Sequence, residues 1–323
     1  SVDNGNRVLR DFDRTDNYQV NFQASYARDF GKHSVSAMFA MEKREMNYEF
    51  SRILKEGPLN GDLANGETNT ATGSVSSSSQ TARSESGDLS YIGRVNYAYD
   101  GRYLFEFLIR SDASTKFSPD NYWGVFPSVS GAWRISEENF WKNSKLMNVV
   151  NSLKLRVGYG VTGNNAIGSS KYTTNYSQTT YPMGNNENNS AYVVGTTLGN
   201  KDLKWETLHA TNIGLDISLF NSRVNLTAEW YNNQISDLLM NCVIPSSTGY
   251  SSQYQNVGEM RNRGWEITLN TVNINTKNFR WTTDLNLAFN SSKVLALEGV
   301  EDHKTFAAGS NRSGTLTYYA VVG

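Results

Sequence analysis

The chain has 323 residues, a net charge of −1, three His and one Cys, a balance that argues against a polyanion-binding surface and against a disulfide framework. Nucleic acid is therefore not an expected partner. Apolar residues make up 38% of the sequence and aromatic residues 12%, with 18 Tyr and 7 Trp. The apolar share lies below the roughly 45–50% of globular domains, as expected where a polar interior and wet loops coexist with a thin apolar belt edged by aromatic rings.

No run approaches the ~20 apolar residues of a spanning helix, and Ser1–Arg10 holds no apolar stretch of the signal-peptide kind. The chain is thus expected to be either soluble or built from membrane strands. It starts at Ser1 and stops at Ala320-Val321-Val322-Gly323 within an apolar run, so the expectation is a piece of a longer protein.

Along the chain, strand-type alternation opens with Tyr18, Val20, Phe22, Ala24 and Tyr26 against Gln19, Asn21, Gln23 and Ser25. The first strand is placed near 16–28 and, after a tight link at Phe30-Gly31-Lys32, a second near 33–49. A long polar link, 50–86, follows and carries the low-complexity tract Gly73-Ser74-Val75-Ser76-Ser77-Ser78-Ser79. Strands near 87–99 and 102–114 flank Asp100-Gly101, and a shorter loop, 113–122, leads to a strand near 123–136.

Residues 136–151 are expected to be helical, with Ser136 as cap, Glu137 and Glu138 in the first turn, and Phe140, Trp141, Leu146 and Met147 as apolar positions. The next strand, near 152–162, sets Leu153, Leu155, Val157, Tyr159 and Val161 against Lys154, Arg156, Gly158 and Gly160. The long link 163–204, rich in Asn, Gly, Tyr and Thr, suits hydrogen bonding and ring stacking on a polar ligand, or plain solvation.

Strands near 205–220 and 223–239 set Ile213, Leu215, Ile217 and Leu219 against Asn212, Gly214, Asp216 and Ser218, then Val224, Leu226, Ala228 and Trp230 against Asn225, Thr227, Glu229 and Tyr231. After the long link 240–256 come strands near 257–273 and 279–296, joined at Thr276-Lys277, and an eleventh is expected near 315. Several of these strands exceed the ~5–6 residues usual in soluble sheets and meet the ~9–11 of a tilted membrane strand. Short links on one side and long links on the other predict an all-β, antiparallel transmembrane β-barrel segment with one short helix on the short-turn side.

Motifs that could carry chemistry are weak. Gly158-Tyr159-Gly160-Val161-Thr162-Gly163 fits the dinucleotide pattern, but Asn164-Asn165-Ala166-Ile167-Gly168-Ser169 continues as loop and not as the helix that would hold a pyrophosphate. The glycines are better placed on a lumen-facing stripe that leaves room for other parts of the protein. His33, His209 and His303 lack partners at ligand spacing. Asp11, Asp13 and Asp16 lack the Gly and closing Glu of a calcium loop, and Cys242 stands alone. No catalytic residue, metal site or cofactor is predicted, and the chain is not expected to be an enzyme.

Arg94, Glu106, Arg110, Arg134, Lys154, Arg156, Asp216 and Glu229 fall on the polar phase of their strands. A lipid-facing Arg or Lys at the bilayer midplane costs roughly 2–4 kcal/mol, so this phase is assigned to the lumen. Pairing among these charges is the simpler expectation, and contact with substrate the other.

Gly101-Arg102-Tyr103-Leu104-Phe105-Glu106 through Ser118-Pro119, then Trp123-Gly124-Val125-Phe126-Pro127 through Glu137-Glu138, and Leu153-Lys154-Leu155-Arg156-Val157-Gly158-Tyr159-Gly160 through Asn164 together resemble the SusC/RagA family of TonB-linked outer-membrane proteins. Leu203-Lys204-Trp205-Glu206-Thr207, Asn256-Val257-Gly258 and Arg261-Asn262-Arg263-Gly264-Trp265-Glu266 extend the resemblance over roughly residues 16–300. It implies a 22-stranded barrel of which residues 1–323 supply about ten to eleven strands, with an N-terminal plug and the C-terminal strands outside this sequence. It further implies uptake of an oligosaccharide, or less often a peptide, energised by the TonB complex and assisted by a SusD-like surface lipoprotein in the outer membrane of a Gram-negative bacterium. Substrate contacts are then expected in the loops 50–86, 163–204 and 240–256, outside the cell. A passive porin and a surface-displayed β-rich adhesin are the alternatives.

Overall fold

A computed structural model describes residues 7–56, 74–75, 80–182, 188–297, 303–306 and 318–321. In chain order the strands are β1 (Arg7–Phe30), β2 (His33–Glu56), the two-residue β3 (Ser74–Val75), β4 (Gln80–Tyr99), β5 (Tyr103–Ser114), β6 (Trp123–Arg134) and β7 (Val150–Asn164). A hairpin of β8 (Tyr176–Pro182) and β9 (Asn188–Val194) precedes β10 (Thr197–Leu198), β11 (Glu206–Leu219) and β12 (Val224–Ser236). Then follow β13 (Leu239–Val243), β14 (Ser252–Asn256), β15 (Glu259–Asn275), β16 (Arg280–Ala296), β17 (His303–Phe306) and β18 (Tyr318–Val321). The main sheet runs in the order β1-β2-β4-β5-β6-β7-β11-β12-β15-β16, and from β5 to β16 every pairing is antiparallel.

By contacts the chain divides into two units, residues 1–21 with 42–89, and residues 22–41 with 90–323. In the first, β1 and β2 extend well past the residues that alternation marked. Arg52 donates to both carboxylate oxygens of Asp11 at 2.8 and 2.7 Å, the Tyr48 hydroxyl donates to Asp13 at 3.0 Å, and Gln19 donates to Glu42 at 2.8 Å. Polar cross-strand pairs thus continue the ladder where the apolar period has ended. The expected link 50–86 shrinks accordingly, and residues 57–73 and 76–79 lie outside the described residues.

In the second unit the period of two sorts the side chains. One cross-strand row reads Phe105, Gly131, Val157, Ile213, Trp230, Trp265 and Phe289. Val157, Ile213, Trp265 and Phe289 all remain exposed. An apolar surface of this extent is not tolerated in water and belongs against hydrocarbon. No helix among the described residues is long and apolar enough to cross a membrane.

Aromatic rows edge this face. Phe39, Tyr91 and Trp123 stack with centroids 6.4 and 5.9 Å apart, and Tyr99, Tyr103 and Trp133 lie 6.4 and 6.3 Å apart. Trp123 and Trp133 occupy the two ends of β6. Ten residues of strand span about 34 Å, and at a tilt of about 45° they rise about 24 Å, close to the ~25 Å apolar band of an outer-membrane barrel.

The one short helix expected on the short-turn side is α1 (Asn139–Lys142), shorter than the 136–151 marked for it and flanked by 3-10 turns at Ile135–Glu137 and Lys145–Asn148. The Ser144 hydroxyl competes with the helical ladder by donating to the Trp141 carbonyl at 2.8 Å. The β11–β12 turn places Phe220, Asn221 and Ser222 at φ of 54°, 55° and 62°. Left-handed backbone costs such residues about 1–2 kcal/mol each, and the Asn151 carboxamide, accepting from the Asn221 amide, holds the turn.

The long links are built rather than loose. Link 163–204 contains the β8–β9 hairpin, and link 240–256 contributes β13 and β14 to a three-stranded sheet of order β10-β14-β13. Phe117 from the β5–β6 link and Ile167 and Leu203 from the β7–β11 link form a buried cluster, against which Tyr122, Trp205, Leu239 and Tyr254 pack. Around it the Ser118 hydroxyl donates to Lys201 O at 2.6 Å, Trp205 Nε1 to Tyr122 O at 3.0 Å and Asn200 Nδ2 to Tyr254 O at 2.9 Å. Most of the segment expected as an eleventh strand near 315 lies outside the described residues; Tyr318–Val321 pairs with His303–Phe306.

Phe117 is fully buried, so Phe117→Ala should cost about 3–5 kcal/mol where the three links meet. Limited proteolysis of the full-length protein is expected to cut within residues 165–205 in the variant while the strands stay protected; an unchanged cleavage pattern would contradict the interlocked links.

Candidate functional site

The polar face of the second unit holds the groups from which a site can be built. Its central rows read Glu106, Ser130, Gly158, Asn212, Tyr231, Gly264 and, one pair further along, Leu104, Ala132, Arg156, Gly214, Glu229, Glu266. A cavity of about 490 Å³ opens over them, lined among others by Ser36, Asn96, Glu106, Lys154, Arg156 and Glu229. Small residues on the rows make the hollow, and charged residues from neighbouring strands project beside it.

Arg156 organises the charges. Its Nε donates to Asp216 at 2.9 Å, and Nη2 lies 3.5 Å from Glu229, two strands away. Glycine at 214 leaves the guanidinium its path across β11: a Cβ there would sit 2.8 Å from Nη2 and would require the guanidinium to shift. Glu229 and Glu266 are direct cross-strand partners, a like-charge arrangement that opposes pairing and that Arg156 offsets. The Thr227 hydroxyl adds a hydrogen bond to Asp216 at 3.2 Å.

The remaining polar-phase residues separate into groups. Arg110 pairs with Asp112 at 2.9 Å and Arg134 with Glu137 at 3.0 Å, so these charges are structural. Lys154 stands opposite Asp216 in register, yet Asp216 is taken by Arg156. Glu106, Lys154 and Arg94 make no ion pair among the described residues, and the first two line the cavity.

Other sequence candidates resolve into packing. Gly158, Gly160 and Gly163 lie on β7, which runs on to Asn164. At Gly163 the Phe126 ring occupies the place of a Cβ and meets Trp205 edge-on at 5.4 Å. Asp11 and Asp13 accept from Arg52 and Tyr48, and Asp16 pairs with Arg14 at 2.9 Å. His33 Nδ1 lies 2.8 Å from the Tyr97 hydroxyl and His209 Nδ1 lies 2.9 Å from that of Tyr159. Cys242 is buried in β13.

Of the loops expected to touch substrate, 163–204 and 240–256 meet in the cluster around Leu203, where Lys171 Nζ lies 5.1 Å from the centre of the Tyr254 ring. Sequence reasoning missed the role of Glu138. It accepts from the Tyr103 hydroxyl at 2.6 Å, from Trp133 Nε1 at 3.1 Å and from Arg102 at 3.2 Å. Those hydrogen bonds, the Tyr103 contact foremost, hold its carboxyl below the ordinary glutamate range. The available signal was the phase of Tyr103 and Trp133, which puts both on the apolar face at the short-turn end.

The family model described as TonB dependent receptor-like, beta-barrel, matches residues 1–320. A TonB-dependent receptor of Formosa agariphila is 41% identical over 247 residues, covering 73% of this chain and 24% of that protein. The TonB-dependent receptor SusC of Bacteroides thetaiotaomicron is 36% identical over 230 residues, 69% of this chain and 22% of its own length. Among solved structures, that of the RagAB peptide transporter superposes with a TM-score of 0.81 at 25% identity, over 98% of this chain and 33% of the matched chain. The chain spans about a quarter of the length of the curated relatives it matches.

Two outcomes are expected. Because the Arg156 pairs are about a third exposed, each is worth about 1 kcal/mol or less; double-mutant cycles by denaturant unfolding should give a larger coupling for Arg156 with Asp216 than with Glu229, and Gly214→Val should abolish the second. The Glu138 anchor contributes fully above the ordinary glutamate range, declines as pH falls through it and is gone below its lowered value. Hydrogen-exchange protection of residues 135–149, taken relative to the intrinsic rate at each pH, should therefore fall only in acid, whereas Glu138→Gln should lower it at neutral pH.

Proposed function

Since the chain belongs to the TonB-dependent receptor-like β-barrel family, we propose that it forms part of the wall and outer loops of an outer-membrane transporter that imports an oligosaccharide. Residues 1–323 are read as part of the barrel domain; a plug domain and further strands are assigned to the rest of the full-length protein, in keeping with the greater length of the relatives. A protein of this kind works in the outer membrane of a Gram-negative bacterium, takes its energy from the TonB complex and shares its substrate with a SusD-like surface lipoprotein.

The observation that carries this reading is the two-sided sheet itself. One face is apolar and edged by aromatic rows, while the other is a wet wall whose cavity offers Glu106, Lys154, Ser36 and Asn96 beside the Arg156 network. Neutral, hydroxyl-rich ligands are served by such side chains and by the Asn, Thr and Tyr of the long links. A peptide is the second reading, favoured by the likeness to the RagAB peptide transporter.

Uptake of labelled oligosaccharides and of labelled peptides by cells with and without the full-length gene tests the proposal. Import of oligosaccharide that needs the gene and stops on addition of a protonophore is expected. Gene-dependent uptake that ignores the protonophore would identify a passive porin, and import of peptide alone would establish the second reading.

A further inference from the structure

The short-turn end of the sheet differs in charge from the long-link end. Its links are joined in series by backbone hydrogen bonds, Asp100 N to Lys32 O, Arg134 N to Arg102 O, Phe220 N to Val149 O and Val272 N to Arg223 O, at 2.6 to 2.8 Å. They form one continuous rim. Across residues 31–32, 100–102, 134–149, 220–223 and 276–280 there are eight basic and three acidic residues.

All three acids are already occupied: Asp100 by Lys32 and Arg102, Glu137 by Arg134 and Lys142, and Glu138 by Arg102. Lys145, Arg223, Lys277 and Arg280 are exposed and pair with no carboxylate among the described residues. Arg223 donates to the carbonyls of Val272 and Asn273, which leaves its charge uncompensated. At the other end, residues 115–122, 165–205 and 237–258 hold four basic and three acidic residues among those described.

The rim is apolar as well as basic. Glu138 fixes residues 135–149 to the side of the sheet that carries Tyr103 and Trp133, the side assigned to hydrocarbon. From there Phe140, Leu146, Met147, Val149 and, on the adjoining turn, Phe220 stand exposed. Apolar side chains at the level of an aromatic row, with uncompensated Lys and Arg beside them, match the boundary between acyl chains and headgroups.

We propose that this rim is a lipid-binding surface selective for phospholipids with anionic headgroups. It seats Phe140 and Leu146 in the acyl boundary and brings Lys145, Arg223, Lys277 and Arg280 to the phosphates. Continuity with the lipid-facing wall and charge complementarity single out a bilayer headgroup as the occupant. The inference rests on the membrane-wall reading above and adds a preference that a wall alone does not have.

The test uses the full-length protein reconstituted in phosphatidylcholine vesicles containing a minor share of phosphatidylglycerol, with the lipid that co-purifies after mild extraction measured by mass spectrometry. Enrichment of phosphatidylglycerol over the bulk ratio by about five-fold or more is expected, falling as salt is raised. The combined Lys145→Gln, Arg223→Gln, Lys277→Gln and Arg280→Gln variant should return to the bulk ratio, while exchange of Lys for Arg and Arg for Lys at the same four positions keeps the enrichment. Heat-modifiable gel migration verifies that each variant is folded. Wild-type lipid at the bulk ratio, enrichment that survives the Gln variant, or displacement by inorganic phosphate overturns the proposal while leaving the wall reading intact. A folded protein that does not enter the vesicles overturns both.

Discussion

A backbone amide or carbonyl in hydrocarbon has no water to fall back on, so each must be paired by the protein itself. A sheet can meet that demand with long paired strands, and here the strands of the main sheet from β5 to β16 run in antiparallel register, with shifts at Ser218/Leu219, Glu259/Met260 and Val272/Ile274 and with β6 paired to β7 over Ser128–Arg134. Everything else follows from keeping that ladder whole. Side chains are forced alternately to two faces, large apolar groups collect on one, and charges are confined to the other. Where a bulky group must cross a neighbour's strand, the neighbour yields its side chain: Gly214 gives way to Arg156, and Gly163 to the Phe126 ring.

Beyond the band set by Trp123 and Trp133 the demand is relaxed, and the chain returns to ordinary packing. At the long-link end, three connections share a buried cluster around Phe117 and Leu203, with backbone carbonyls satisfied by Ser118, Asn200 and Trp205. The same end carries the polar residues suited to a ligand, so the cluster gives candidate contacts a fixed base. Interlocked links lose less entropy when a ligand binds than free ones would.

At the short-turn end, tight turns suffice and one carboxylate anchors the longest link. Glu138 ties residues 135–149 to Tyr103 and Trp133 and neutralises Arg102 in the same contact. The acidic groups of the rim are thereby consumed by structure, and the surplus basic charge is left facing outward. On the polar face the logic is reversed. Arg156 is consumed by Asp216 and Glu229, and Glu106 and Lys154 are left over beside the cavity.

The sequence by itself determined the strand phase, the assignment of each face and the alternation of short and long links. Period two is a local property that a residue such as Val157 or Lys154 carries wherever it sits. The same locality explains what was misjudged: β1 and β2 extend past the alternating residues because Arg52 finds Asp11 and Tyr48 finds Asp13 across the strands. The helix expected over 136–151 is confined to Asn139–Lys142 because the Ser144 hydroxyl bonds the Trp141 carbonyl and Glu138 is drawn to another element. Only the tertiary structure decided which polar-phase charges pair with one another and which stand outside those pairs, and that Phe117, Ile167 and Leu203 share a core. Those choices depend on register and on contacts between residues distant in sequence, such as Arg156 with Glu229, which no local pattern encodes.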